Sequence, residues 1–184
     1  MNKSTTTKQF VTEPFDPDKH DRTAFFCGVE QVDNYFKKTA SKLSIADNIR
    51  TYVKVTAGDK TKVEGFYAIN AHSVNYTELP KKYKRAAPGH GAIPAVYISM
   101  IGRDKNFEGK GVGGILLVDA LKRIAIGAGQ FGVAIVILDV LDCGDPQAVE
   151  KRKETYEKYG FQPLPSEDLR MFLPIATVRK MLGG

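Results

Sequence analysis

Apolar and polar positions change rhythm sharply between Ala95 and Gln130 (AVYISMIGRDKNFEGKGVGGILLVDALKRIAIGAGQ), and three elements follow from that change. Val96, Ile98, Met100 and Ile101 make a buried strand, bounded by Pro94 before it and by Arg103-Asp104-Lys105 after it. A turn follows at Glu108-Gly109-Lys110-Gly111-Val112-Gly113-Gly114. From there to Ala128 no proline intervenes, and Val112, Ile115, Leu116, Leu117, Val118, Leu121, Ile124 and Ala125 cover most of one helix. Asp119, Lys122 and Arg123 are expected to form its single polar stripe.

The flanking segments are read in the same way. Residues 1–7 are polar and expected to fray, and Gln9 to Pro14 suits a short edge strand. Cys27-Gly28 closes a turn, and Val29 to about Lys42 predicts a helix whose apolar face is Val32, Tyr35, Phe36, Ala40 and Leu43. Thr51–Ala57 and Val63–Val74 predict two strands joined by a hairpin at Gly58-Asp59-Lys60-Thr61. A long loop from Thr77 to Pro94 carries the basic run Lys81-Lys82-Tyr83-Lys84-Arg85. Val133–Val140 is nearly all apolar, which predicts a strand buried on both faces. Gln147–Tyr159 predicts a second helix, with Pro146 in its first turn and Gly160 as its C-terminal cap. Leu169–Ile175 is the last expected strand, with Pro174 marking its end or an edge.

A chain of 184 residues, 42% hydrophobic, can bury one sizeable core, so residues 1–184 are expected to form a single domain. The net charge of +6 suits a polyanionic ligand such as a nucleotide or RNA, and equally an ordinary basic surface. Cys27 and Cys143 are too few for a disulfide framework. The opening MNKSTTTKQF has no apolar core, and no stretch approaches the ~20 apolar residues that cross a bilayer. A soluble cytoplasmic protein, with no membrane partner, is the expectation.

Glycines at a strand-to-helix junction let the main chain take conformations closed to other residues and let a ligand come close. The first N–H groups of the helix lack internal partners and can converge on an anion, a diphosphate above all. The competing reading is a turn that only permits tight strand–helix packing. A Walker loop is excluded, because Gly109-Lys110 is followed by Gly111 rather than Ser or Thr. A dinucleotide fingerprint fits poorly, since the glycines sit mid-chain and alternate. Lys37 and Lys38, and the run Lys81, Lys82, Lys84 and Arg85, are either solvated charge or contacts for an RNA backbone, with Tyr83 able to stack on a base.

This loop resembles the acyl-CoA loop of the GNAT N-acetyltransferases. Gly111 and Gly113 match its glycines and Lys110 its inner basic residue, while Glu108 stands where Gln or Arg is usual. Tyr159-Gly160-Phe161 is similar to the family's C-terminal Tyr-Gly-Phe signature. The resemblance implies a mixed α/β fold, a central mixed sheet flanked by helices. It also implies acetyl-CoA as co-substrate, without a metal. Its binding residues would be Met100, Ile101, Arg103, Glu108, Gly109, Lys110, Gly111, Val112, Gly113 and Gly114. Tyr159 would be the acid for the leaving thiolate, because a phenol, with a pKa of about 10 in water, keeps its proton at neutral pH. No general base stands out, and His20, His72 and His90 read as structural or merely exposed. That favours an α-amino acceptor, pKa about 8, over a lysine at about 10.4.

A narrower resemblance covers most of the chain. Phe26-Cys27-Gly28, Val32-Asp33-Asn34-Tyr35-Phe36, Ala46, Thr51-Tyr52-Val53, Gly65-Phe66-Tyr67, Ser73 and Leu169 with Phe172-Leu173-Pro174 look like the GNAT toxins of toxin–antitoxin pairs. Ile101-Gly102-Arg103 departs from the Gly-Arg-Leu segment common there. The resemblance implies acetylation of the amino acid on charged tRNA, a homodimer, and a small ribbon–helix–helix antitoxin as partner. The basic clusters would then contact tRNA. A small amine or a protein N-terminus as acceptor, and a CoA-binding module without activity, are the alternatives.

Overall fold

The structure is a computed structural model that describes residues 10–83 and 89–183. The expectation for residues 1–7 and the tRNA-contact candidates Lys84 and Arg85 lie outside the described residues. The described strands are β1 (Glu13–Pro14), β2 (Arg50–Val55), β3 (Val63–Asn75), β4 (Ala92–Arg103), β5 (Ile135–Asp139), β6 (Gln162–Leu164) and β7 (Glu167–Pro174). They pair in the order β1-β2-β3-β4-β5-β7-β6. The helices are α1 (Glu30–Asn34), α2 (Ala40–Ile45), α3 (Val112–Gly127), α4 (Pro146–Glu157) and α5 (Ile175–Met181). β4 and β5 are parallel, whereas β1–β2, β5–β7 and β6–β7 are antiparallel, so the sheet is mixed. Among the described residues, no helix is long and apolar enough to cross a membrane.

Two compact units divide the chain. The first comprises Met1–Tyr67 and Ile101–Asp119. Its centre is aromatic: Phe36 stacks on Phe66 at 4.3 Å between centroids, and Phe25 meets Phe36 edge-on at 5.0 Å. A π-helical turn, Tyr35–Thr39, joins α1 to α2, and Phe36 and Ala40 are fully buried across it. The predicted helix therefore exists but runs three residues beyond Lys42, to Ile45. Gly65 is required here for packing, because a Cβ on it would come within 2.7 Å of Leu116 Cδ1 and 2.8 Å of the Gly102 carbonyl oxygen.

Asp119 corrects the expected polar stripe of α3. Its carboxylate is 4% exposed and accepts from Val11 N–H at 2.8 Å, Thr12 Oγ1–H at 2.5 Å and Tyr67 O–H at 2.8 Å. Helical spacing identifies a polar position, but the donors arrive from sequence far upstream, which no local pattern reports.

The second unit comprises Ala68–Met100 and Ala120–Gly184. Ile135–Leu138 of β5 are all buried, between β4 and β7 as the apolar run requires. The last predicted strand is β7, which ends at Pro174 as expected; the short β6 pairs outside it no further than Phe172, and α5 follows. The Thr77–Pro94 loop is shorter than expected. Tyr76–Glu78 and Lys81–Tyr83 are 3₁₀ turns, and β4 begins at Ala92, taking in Pro94 just before its pairing with β5 starts at Ala95. Tyr83 is half-buried: its ring packs edge-on against Phe172 at 5.3 Å, and its hydroxyl accepts from Gln162 Nε2–H at 3.3 Å.

Two outcomes follow from this packing. Asp119→Asn should lower the unfolding free energy by about 2–4 kcal/mol, because one acceptor oxygen becomes a donor facing buried donors; urea denaturation reads it. Burial pushes the Cys27 thiol up to about 11. Cys27 should therefore react with iodoacetamide at pH 8 roughly a hundredfold more slowly in the folded than in the unfolded chain, as peptide mass spectrometry would measure.

Candidate active site

β4 continues to Arg103 after its pairing with β5 ends at Ile98, so Ser99 to Arg103 have no β5 partner. Met100, Ile101 and Arg103, the sequence candidates there, are all half-buried. Asp104 then turns the chain. Its carboxylate accepts from Asn106 N–H at 2.8 Å and from Phe26 N–H at 2.9 Å, starting the 3₁₀ turn Lys105–Phe107. Gly109 and Gly111 follow with φ of +72° and +71°, the left-handed region that glycine enters without strain. α3 begins at Val112, and its first bond runs from Ile115 N–H to the Gly111 carbonyl. The amides of Val112, Gly113 and Gly114 precede that bond, at the end of the helix where anions are stabilised.

The packing alternative for these glycines can be judged directly. A Cβ placed on Gly109, Gly111 or Gly113 would meet nothing within 4 Å, unlike one on Gly65 or Gly102. Tight packing therefore explains Gly65 and Gly102 and does not explain Gly109, Gly111 or Gly113. Gly113 has no need of a positive φ either, which leaves room for a ligand as its physical use. Val112 is buried, and Gly113 and the side chains of Glu108 and Lys110 are exposed. Arg103 Nη2–H donates to Glu108 Oε1 at 3.2 Å, and Lys110 Nζ stands 4.9 Å above the Phe107 ring.

In the second unit, Tyr159 lies just beyond α4. Asp145 caps the start of that helix through Gln147 N–H and Ala148 N–H, and Pro146 occupies its first turn as expected. The other end closes as a Schellman motif. Phe161 N–H reaches the Tyr156 carbonyl, Gly160 N–H reaches that of Glu157, and the Phe161 and Tyr156 rings lie 6.0 Å apart. Gly160 has φ +88°, so its role as cap was readable from sequence. Tyr159 is half-buried. Tyr156 was not singled out from sequence: part of its surface is exposed, but burial of its phenol raises the pKa above the ordinary tyrosine value, against the pull of Arg152.

A second group in this unit was also missed. Asp139 accepts from Arg170 Nε–H at 2.7 Å, Arg170 Nη2–H at 2.9 Å and Tyr97 O–H at 2.8 Å. Burial opposes ionisation of Asp139, but the Arg170 and Tyr97 hydrogen bonds outweigh it and hold the carboxyl below its usual range. Burial, with Asp139 alongside, pushes Tyr97 up to about 12. Asp139 ending an apolar run was the available signal, while its partners on β4 and β7 could not be read locally.

The remaining candidates fall in both units. Lys37 is half-buried and Lys38 exposed on the π turn of the first unit, and Lys81 and Lys82 are exposed on the 3₁₀ turn of the second. Buried His20 is structural: its Nδ1 accepts from Asp16 N–H and its Nε2 pairs with Glu13 Oε1, both at 2.9 Å. His90 Nδ1 accepts from Ala92 N–H, and His72 is exposed beside the Tyr97 ring. Among the described residues no group of His, Cys, Asp and Glu is placed to hold a metal ion.

No protein-family model matches the chain. The probable toxin TacT of Sinorhizobium fredii (strain NBRC 101917 / NGR234) is 61% identical over 173 residues, 94% of this chain and 95% of that protein. A tRNA-acetylating toxin of Mycobacterium tuberculosis (strain ATCC 25618 / H37Rv) is 26% identical over 166 residues, 90% of this chain and 93% of that one. The fold is that of AtaT in its complex with acetyl-methionyl-tRNAfMet, with TM-score 0.81, 20% identity, and 93% and 98% of the two chains covered. With three residues in five shared with TacT along nearly the whole of both chains, the protein belongs to the GNAT toxins of toxin–antitoxin systems.

Proposed function

We propose that this chain transfers the acetyl group of acetyl-CoA to the α-amino group of the amino acid on charged tRNA. The observation that carries the proposal is the Gly109–Gly114 turn: left-handed glycines and an unhindered Gly113 before the first helical amides, in a member of the GNAT toxins. Those amides would hold the diphosphate. The backbone of Met100 and Ile101, past the end of the β4–β5 pairing, would accept the pantetheine arm and polarise the thioester carbonyl.

The chemistry is a direct attack. The neutral amine adds to the carbonyl, the C–S bond breaks, the amine proton leaves to solvent, and a phenol protonates the departing thiolate. An α-amino group of pKa about 8 is roughly a tenth neutral at pH 7, so the step needs no strong base. Cys27, its thiol held up near 11, is no ready nucleophile for a covalent detour.

Tyr159 is the donor by its place in Tyr-Gly-Phe. Tyr156, three residues earlier, packs its ring against Phe161, and burial raises the pKa of its phenol above the ordinary tyrosine value, as packing alone would do. Lys37, Lys38, Lys81 and Lys82, with Lys84 and Arg85, are the proposed contacts to the tRNA backbone. The reading brings with it one domain over residues 1–184, action in the cytoplasm where charged tRNA is found, a homodimer, and a ribbon–helix–helix antitoxin.

Labelled acetyl-CoA should mark charged tRNA and leave deacylated tRNA blank, with the label recovered as N-acetyl amino acid after ester hydrolysis. Label on a small amine or a protein N-terminus alone would overturn the acceptor, and no transfer to any amine would overturn the enzyme. Tyr159→Phe should cut kcat about 10²- to 10⁴-fold while Tyr156→Phe keeps most of it. Full activity in both would remove this end of α4 from the mechanism.

A further inference from the structure

The Arg103–Glu108 pair is lopsided. Arg103 makes a single 3.2 Å bond to a carboxylate whose side chain is 73% exposed, while its own is 29% exposed. A monodentate pair on so open a carboxylate is weak. The other terminal nitrogen, Arg103 Nη1, is buried and has no hydrogen-bond partner among the described residues. A guanidinium N–H left buried without an acceptor carries an uncompensated desolvation cost, and the Glu108 bond does not remove it. The unsatisfied donor stands on the strand end that leads into the Gly109–Gly114 turn, in the same unit. Lys110 is the weaker candidate for a tight phosphate contact, because its ammonium lies over the Phe107 ring and its side chain is exposed to water.

We propose that Arg103 is a diphosphate-binding residue that Glu108 holds back until the nucleotide arrives. The proposal rests on the coenzyme reading of the loop and deepens it. On binding, the guanidinium leaves the exposed carboxylate and turns so that Nη1 comes out of its buried position, presenting both terminal nitrogens to phosphate oxygens, whose geometry matches its fork. Glu108 is left to water. Its charge opposes every ligand that carries a diphosphate, acetylated or not, so it weakens donor and product binding alike. The residue that departs from the usual Gln or Arg of this loop thus tunes affinity downward, and Arg103 restores the missing positive charge from five residues upstream.

Calorimetry on the full chain, with free coenzyme A, ADP and S-acetylpantetheine as separate probes, tests this. Arg103→Ala should weaken coenzyme A and ADP about 10- to 100-fold, and S-acetylpantetheine, which has no diphosphate, by less than about twofold. Glu108→Gln should tighten coenzyme A and ADP about three- to tenfold, and the gain should vanish when Arg103→Ala is also present. Thermal midpoints close to that of the unaltered protein report that the variants fold. An ADP affinity unmoved by Arg103→Ala, or an equal loss for S-acetylpantetheine, overturns the proposal. If the unaltered protein binds neither coenzyme A nor ADP, the coenzyme reading itself falls and this inference with it.

Discussion

The direction in which the first amides of α3 point depends on how the first half of that helix is held, and a buried carboxylate holds it. Asp119 accepts from Val11 and Thr12 of the N-terminal segment and from Tyr67 of β3. One turn earlier, Leu116 closes onto Gly65, where no side chain would fit. A charge-assisted network and a close backbone contact therefore act on the same two turns of helix that follow the glycine loop. Such support from behind is what a phosphate-holding turn needs, because amides that drift by an ångström lose the convergence that makes them an anion site.

How much of this was legible follows from the range of each signal. The strand, turn and helix of Ala95–Gln130 were readable, since period and glycine spacing are local. Gly160 was readable for the same reason: a helix that must stop with a left-handed residue and a hydrophobic contact announces itself in Tyr-Gly-Phe. Asp119 was misassigned because its spacing matched a solvent stripe, while its donors lie 108, 107 and 52 residues away. The packing of Tyr83 on Phe172 was not legible, because a basic run looks solvated and Phe172 lies far along the chain. The short β6 and α5 carried too few residues to show a period.

The candidate chemistry divides in the same way. The loop could be argued from backbone conformation alone, and the structure separates its glycines from the packing glycines at 65 and 102 by what surrounds them. The proton inventory could not be argued that far. Sequence gives the number of phenols, thiols and imidazoles but not their surroundings, and here those decide. Cys27 is withdrawn from reactivity by burial and His20 is tied to Glu13. Asp139 is occupied by Arg170 and Tyr97. These three groups are committed elsewhere, and the proposed reaction takes its proton transfers from the substrate amine, solvent and a phenol.

The two tyrosines at the end of α4 show why a motif alone does not assign that phenol. They are three residues apart, about one helical turn, so both can be presented from the same end of the helix. Motif reasoning selects Tyr159 because it adjoins Gly160, but Gly160 is already explained by the Schellman closure, which would exist in a helix with no catalytic role. The capping pattern therefore adds little weight to its neighbour. Tyr156 serves that closure through its ring on Phe161, and the burial that goes with it raises the pKa of its phenol. Tyr156 is thereby spent on packing, and Tyr159, half-buried just past the helix end and outside that ring contact, is the phenol left to meet a substrate.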